Sequence, residues 1–327
     1  MTSPTVTLGI LSIGEMGMGI AKLLVANNYR VVTNLEGRSE DTKARAKEAS
    51  IEIFPDDVSL VKECDYILSI VPPRDALATA TRISTAFNAQ SSRKSTPLYF
   101  LDLNAISPRS ARSIGELIAS KSPRMKFLDG GIIGGAPKLM PQDAESCSSS
   151  KAVWAKPSIP ISGSIASPPP SFAQLFAVLR MKHVSDDIGI ASGLKCCFAS
   201  TSKGFIALCI QAFTTASEMG VLGHLIEEME GRMPGLLKSA RGGMTSMPPK
   251  AYRWVKEMEE IAQTHEEEGN FSPEASLFTP IAKIYKTVAE DTILGEEKTE
   301  RRKRGLTMED VAQAMGDGLK AKKRKTE

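Results

Sequence analysis

The stretch VTLGILSIGEMGMGIAKLLVANNYRVVTNLEGR, residues 6–38, decides the fold. A short apolar run at 8–11 breaks at a glycine cluster. Ile20, Ala21, Leu23 and Leu24 then recur at helical spacing until Asn27 and Asn28 stop the pattern, and residues 29–35 read as a second strand. Strand, glycine turn, helix and strand in that order make a nucleotide-binding βαβ half. In such a turn one glycine permits the tight bend, one lets backbone N–H groups approach a pyrophosphate, and one lets helix and strand pack closely. Ser12 stands at the first of these positions, so the fingerprint is S-x-G-x-x-G, with Ser12, Ile13, Gly14, Glu15, Met16 and Gly17 as the candidate pyrophosphate turn. The strand-turn-helix setting separates it from a glycine-punctuated loop with no ligand.

Outward from that half, strands and helices alternate. Residues 40–49 are polar and helix-favouring, and 65–71 form a near-continuous apolar run ending in Pro72-Pro73, the pattern of a strand buried on both faces of a parallel sheet. Helices are expected over 74–86 and 110–121, and strands over 97–103 and 126–129. The fold class that follows is α/β plus all-α: a Rossmann-type doubly wound parallel sheet, then a helical domain. Residues 130–150, rich in glycine and then serine, predict a loop. Residues 159–163 predict a last edge strand, where Pro160 is tolerated. After Gly189 the β-branched runs stop and helical periodicity takes over. Ser192 is the candidate N-cap of a helix over 193–219, whose apolar residues all round predict burial. Further helices are expected over 251–267 and 307–319. The expected domains are 1–188, dinucleotide-binding; 189–305, helical; and 306–327, a terminal helix and basic tail.

A chain of 327 residues, 42% hydrophobic, can bury two cores. Its net charge is only +3, and the basic excess is concentrated in residues 301–304 and 320–325, so composition argues against nucleic acid as a partner. Five cysteines, with Cys196 and Cys197 adjacent and none in C-x-x-C spacing, argue against zinc and against a disulfide framework. His183, His224 and His265 lack ligand spacing, so no metal is expected. The first apolar run is too short and too glycine-broken for a signal segment or membrane span. A cytoplasmic protein without a membrane partner is the expectation. The basic tail reads as a solvated, disordered end, with a nuclear localisation patch as the alternative.

Five segments lie in a telling order: the glycine turn; Val71-Pro72-Pro73; Asp102-Leu103-Asn104-Ala105-Ile106-Ser107-Pro108; the turn from Asp129 through Gly135; and Gly189-Ile190-Ala191-Ser192-Gly193-Leu194-Lys195. Together they make the chain resemble the β-hydroxyacid dehydrogenases, relatives of 6-phosphogluconate and 3-hydroxyisobutyrate dehydrogenase, over residues 6–318. Ala199-Ser200-Thr201-Ser202-Lys203-Gly204 and Tyr252-Arg253-Trp254-Val255 resemble the branch whose C-terminal helical domain was one of unknown function. The resemblance implies NAD(P)-dependent oxidation of a small hydroxy acid or reduction of its oxo acid, and a helical domain that forms homodimers. It assigns the glycine turn, Val71, Pro72, Pro73 and Asn104 to the cofactor, Ile133, Gly134 and Gly135 to the substrate, and proton transfer to Lys195. Hydride transfer from a carbinol carbon leaves a hydroxyl proton for a positioned side chain to take. A lysine does this when burial or neighbouring positive charge favours its neutral form, and the start of an apolar helix offers both.

The chain also departs from the family pattern. Ile133 stands where many members have serine, and Ala199 where an asparagine is common. Thr201, Lys203 and Arg253 are candidates to take over the lost contacts. At the end of the second strand, Glu36 would bond a ribose 2′-OH and select NAD, whereas Arg38 with Ser39 would pair with the 2′-phosphate of NADP. Charge and hydroxyl together favour NADP, with NAD as the alternative. Two other functions stay open: a non-catalytic dinucleotide sensor, favoured by the loss of substrate-turn polarity, and an imine reductase, which resembles the same fold.

Overall fold

The computed structural model describes residues 6–90, 96–141, 153–166 and 168–326, which divide into two compact units, Met1–Lys195 and Cys196–Glu327. The first unit runs β1 (Thr7–Leu11), α1 (Glu15–Val25), β2 (Arg30–Asn34), α2 (Glu40–Glu48), β3 (Glu52–Phe54), α3 (Asp57–Glu63), β4 (Tyr66–Ser69), α4 (Ala76–Asn88), β5 (Tyr99–Asp102), α5 (Pro108–Lys121) and β6 (Lys126–Gly130). After these come β7 (Lys138–Leu139), β8 (Trp154–Ala155), β9 (Ile159–Ser162), α6 (Ser171–Leu179) and β10 (Met181–Ser185). The eight-stranded sheet has the order β10-β9-β6-β5-β4-β1-β2-β3. Its neighbours pair in parallel except β6 with β9.

Alternation along the strands explains why the sheet carries a core on each face. Leu8, Tyr66, Leu68, Tyr99 and Leu101 belong to one apolar cluster, and Leu11, Ile67 and Phe100 to the other. Burying such side chains contributes about 2 kcal/mol each, which is why the strands read as unbroken apolar runs. The chain moves outward one way from β1 and the other way from β4, so the strand order reverses between them. In open sheets the crevice at the carboxyl ends of such a pair is where ligands bind.

Several expectations change here. Residues 159–162 are not an edge. β9 lies between β6 and β10, and Pro160 is accommodated because the ladder uses its carbonyl, which accepts from the Gly131 N–H at 3.1 Å. The edge strand β10, with the helix α6 before it, follows a segment whose prolines and serines mask the pattern, and β3 hides at the end of the polar stretch after β2. Part of the expected loop at 130–150 is ordered: β7 pairs with β8, and Ile133 bridges Ser158. The serine-rich part of it lies outside the described residues.

The helix expected over 193–219 is α7 (Ile190–Glu218), so Ser192 sits inside the first turn rather than at the cap. The unit boundary falls within this helix. The second unit continues with α8 (Leu222–Arg232), α9 (Pro234–Ser246), α10 (Ala251–Glu267), α11 (Phe278–Glu290) and α12 (Met308–Thr326). Its core takes Cys196, Ala199, Ile210 and Phe213 from α7, and Met308, Val311, Ala312 and Met315 from α12, so the terminal helix is part of this unit. The basic tail is the end of α12, not a disordered end: Lys320 pairs with Glu218 at 2.6 Å and Lys322 with Asp291 at 2.7 Å.

α7 is not buried all round. Leu194 and Phe198 are each 47% exposed and Leu208 is 61% exposed, at spacings of four and ten residues that put them on one face. At 29 residues and a mean hydropathy of 1.3 over its most apolar window, α7 is long and apolar enough to cross a membrane. Its opposite face belongs to the core just described, as in the central helix of a bundle.

Candidate functional site

The glycine turn connects β1 to α1 at the carboxyl end of the sheet. Ser12 holds φ at +74°, a left-handed conformation that glycine adopts freely and a side chain resists by about 1 kcal/mol or more. The turn therefore keeps the backbone shape of the glycine fingerprint without its first glycine. Gly14 is the N-cap of α1, offers no side-chain cap, and has open space where a Cβ would stand. The first N–H groups of a helix lack intrahelical partners, and such groups attract anions. A Cβ on Gly17 would overlap the Ser12 carbonyl oxygen, so only glycine lets helix and turn pack at this separation.

At the end of β2, Glu36, Arg38 and Ser39 are all exposed. Asn34 shapes this bend: its side chain donates to Asp57 Oδ1 at 2.8 Å and accepts from the Glu36 N–H at 2.9 Å. Ser39 caps α2 by accepting from the Thr42 N–H. Arg45, which sequence pattern did not single out, reaches back from α2 and donates through Nε to the Ile13 carbonyl at 2.8 Å. It ties the glycine turn to the segment carrying Arg38.

Val71 and Asn104 are joined: the Val71 N–H donates to Asn104 Oδ1 at 2.6 Å. Asn104 Nδ2 donates to Ser69 Oγ at 3.0 Å and to Asp102 Oδ2 at 2.8 Å. Asn104 is buried and its side chain binds the ends of β4 and β5 together, so its side-chain amide is committed within the protein. Pro72 and Pro73 then open a short 3-10 turn, Pro73–Asp75. Asp102 is fully buried, and burial followed by the nearby charge of Asp129 pushes its carboxyl up to about 7 against the lowering effect of the Asn104 hydrogen bonds.

Asp129, the next-to-last residue of β6, lies directly beside Asp102 in the sheet register. It is completely buried, and it receives four donors. Its Oδ2 accepts from Ser162 Oγ at 2.9 Å, from the Gly189 N–H at 3.0 Å and from the Ser192 N–H at 3.0 Å, and its Oδ1 accepts from Ser192 Oγ at 2.5 Å. Burial pushes its carboxyl up from the ordinary range while these hydrogen bonds pull it back down. The group that caps α7 is therefore Asp129, from another strand, and not Ser192.

Past Asp129 the chain lies against Lys195. A Cβ on Gly131 would stand 2.6 Å from Lys195 Cβ and 3.0 Å from its Cγ, so the lysine stem crosses bare backbone there. Lys195 is half-buried. Ile133 exchanges both backbone hydrogen bonds with Ser158, at 2.9 and 3.0 Å, while Gly134, with φ at +122°, and Gly135 are exposed. Further on, a Cβ at Gly19 of α1 would stand 3.0 Å from Ala136 and Pro137. One segment, 130–137, thus touches the Lys195 stem at one end and the helix of the glycine turn at the other.

Thr201 and Lys203 lie on α7 within the second unit. Thr201 is exposed and its hydroxyl donates to the Phe198 carbonyl at 2.9 Å. Lys203 forms an ion pair with the buried Glu257 and lies 5.0 Å over the Trp254 ring, so its charge is already matched inside this unit. Trp254 packs edge-on against Tyr285, as a core side chain. Ala199 is buried in the same core. Arg253 approaches Glu257 at 3.9 Å. The His265 ring contacts the Ser200 hydroxyl at 2.7 Å and stacks on Phe278. Among the described residues, no group of three or more His, Cys, Asp and Glu side chains gathers as metal ligands.

Residues 7–92 match a family described as NADP oxidoreductase, coenzyme F420-dependent, and residues 216–288 match a domain of unknown function, DUF1932. An uncharacterised 28.5 kDa protein of Methanothermus fervidus is 25% identical over 262 residues, covering 79% of this chain and 91% of its own length. Among solved structures, the fold is shared with 3-hydroxyisobutyrate dehydrogenase of Salmonella typhimurium (TM-score 0.62, 17% identity, 94% of this chain and 99% of that one). It is shared too with a conserved protein of unknown function similar in structure to the 3-hydroxyacid dehydrogenases (TM-score 0.56, 23% identity, 87% and 97%). An imine reductase of Myxococcus stipitatus in complex with NADP+ has the same fold (TM-score 0.51, 18% identity, 88% and 93%). An NADP oxidoreductase-like segment and a DUF1932 segment thus follow one another along a chain whose fold is that of the hydroxyacid dehydrogenase and imine reductase structures.

Proposed function

We propose that the protein is an NADP-dependent oxidoreductase that interconverts a small hydroxy acid and its oxo acid, with Lys195 as the general acid and base. The observation that carries this reading is the passage of the Lys195 stem over Gly131, on a segment that also packs against α1. Segment 130–137 thus packs against the Lys195 stem at one end and against Gly19 of α1, the helix that follows the glycine turn, at the other, which supports a proton-transferring role for Lys195 near a bound dinucleotide.

The glycine turn fits a dinucleotide. The open side of Gly14 leaves room for a pyrophosphate, the uncapped N–H groups of α1 supply donors, and exposed Arg38 with Ser39 suits a 2′-phosphate. When bound, the nicotinamide supplies or accepts the hydride. In the reducing direction the Lys195 ammonium gives its proton to the carbonyl oxygen as that oxygen gains negative charge. In the oxidising direction the neutral amine takes the hydroxyl proton. Ile133 brings no side-chain hydroxyl to the substrate turn, and the exposed Gly134 and Gly135 backbone is the group that remains to meet a substrate carboxylate. Lys203 would have to leave Glu257 to do so.

Lys195→Met tests the assignment. Turnover of small oxo acids, followed as loss of NADPH absorbance, is expected to fall by at least about 100-fold, with NADP affinity by calorimetry unchanged. Unchanged turnover would remove Lys195 from its role. Cyclic imines belong in the same screen, because imine reductases share the fold.

The exposed stripe of Leu194, Phe198 and Leu208 supports a homodimer in which a second copy covers α7. Leu208→Asp is then expected to convert a sedimenting dimer to monomer, whereas a wild-type chain that sediments as a monomer would sink this part of the proposal. A cytoplasmic site of action agrees with that reading of α7.

A further inference from the structure

We propose that Asp129 is the positioning residue of the site: its buried carboxylate fixes the first turn of α7 and thereby the place of Lys195. This inference rests on the Lys195 reading for its catalytic consequence, but not for its structural content.

Four donors end on this one carboxylate, and they come from three separate places in the chain. Ser162 belongs to β9, the Gly189 N–H to the turn after β10, and the Ser192 N–H and hydroxyl to the first turn of α7. The first N–H groups of a helix have no intrahelical partner, and a carboxylate satisfies them with favourable charge as well as hydrogen bonds. Ser162 does double duty: its hydroxyl donates to Asp129 and accepts from the Ala191 N–H at 3.0 Å. Two hydroxyl groups and two amide N–H groups thus converge on the one carboxyl group. Gly189 makes the geometry reachable. Its φ of +101° turns the chain into α7, and a Cβ there would stand 3.0 Å from the Pro108 carbonyl.

Rotation about the helix axis is what this clamp controls. Lys195 lies three residues beyond Ser192, less than one turn further on, so whatever fixes the rotation of Ser192 fixes the direction in which Lys195 leaves the helix. Two residues beyond Asp129 on the same strand end, Gly131 meets the Lys195 stem. Clamp and channel are therefore carried by the same piece of backbone, and a shift of α7 by about 1 Å would move the ammonium out of line at a cost of about 100-fold in rate.

The test is hydrogen exchange by mass spectrometry on the full chain, read over residues 189–195, together with steady-state kinetics. Asp129→Ala orphans all four donors. It is expected to raise exchange in this segment at least about tenfold, and to lower kcat while leaving the KM for NADP unchanged. Should the alanine variant fail to fold, Asp129→Asn keeps the volume. Its Oδ1 position is the one place where an amide meets a hydroxyl able to reverse, so it is expected to show a smaller rise in exchange and a partial recovery of kcat. Wild-type protection over 189–195 in either folded variant overturns the inference, whether or not the protein turns over. Full turnover by Lys195→Met, with exchange raised in Asp129→Ala, would instead remove the catalytic role of Lys195 and leave the clamp standing.

Discussion

The glycine turn and the corner where β6 meets α7 are both at the working end of the first unit, yet they are specified in opposite ways. The turn between β1 and α1 is local: six consecutive residues carry its shape, and even the odd one, Ser12, keeps the left-handed conformation of the glycine it replaces. The corner is assembled from a distance. Asp129 draws in partners 33, 60 and 63 residues away. Local geometry can lose a preferred residue and persist at a small cost in strain, whereas a hub of long-range donors loses several bonds at once when its acceptor is removed.

Three substitutions sharpen that contrast, beginning with the corner. Gly131→Ala places a methyl group 2.6 Å from Lys195 Cβ, so the lysine stem must move by about 1 Å, and kcat is expected to fall about 100-fold with cofactor affinity intact. A variant with wild-type kcat would mean that the stem finds another path. At the glycine-turn end, Arg38→Ala tests the proposed pairing with a 2′-phosphate, a charge-assisted contact that would contribute about 1.5–3 kcal/mol. NADP should bind about 10- to 100-fold more weakly while NAD affinity stays level, and equal losses for both cofactors in calorimetry would assign Arg38 to something other than the 2′-phosphate. The smallest effect belongs to the local strain. Ser12→Gly relieves the left-handed serine, and a urea melt should show stability unchanged or raised by up to about 1 kcal/mol, the gain being partly offset by the freer unfolded chain. A clear loss would show that the serine side chain makes a contact the backbone argument omits.

The same contrast explains what could be read before the structure was known. The βαβ half and the strands ending at Ser69 and Asp102 follow from apolar runs buried on both faces of the sheet, and the helix Ala251–Glu267 from an apolar repeat that faces one core. Ser192 misled because serine before an apolar run is the ordinary mark of a helix start. Here the cap comes from β6, so the hydroxyl became a donor within the first turn instead. β9 looked like an edge because of Pro160, and its pairing with β6 on one side and β10 on the other places it inside the sheet. α7 looked wholly buried because composition does not say which face is covered. Arg45 carried no sequence signal at all, since a basic residue on a polar helix is commonplace until its guanidinium is found on the Ile13 carbonyl. Asp129 could have drawn notice as an acidic residue near the end of a strand whose neighbour closes with one, Asp102.

The distances along the chain that Asp129 spans bear on the order in which the molecule forms. Closing a loop of 60 residues costs more entropy than closing the short connections of the βαβ half, and the hub needs β9, β10 and the start of α7 in place together before any of its bonds contributes. The cofactor half can take shape as soon as its own strands pair. By loop-closure cost the Asp129 corner is expected to form after the βαβ half, so that the glycine turn is shaped before the clamp on α7 closes.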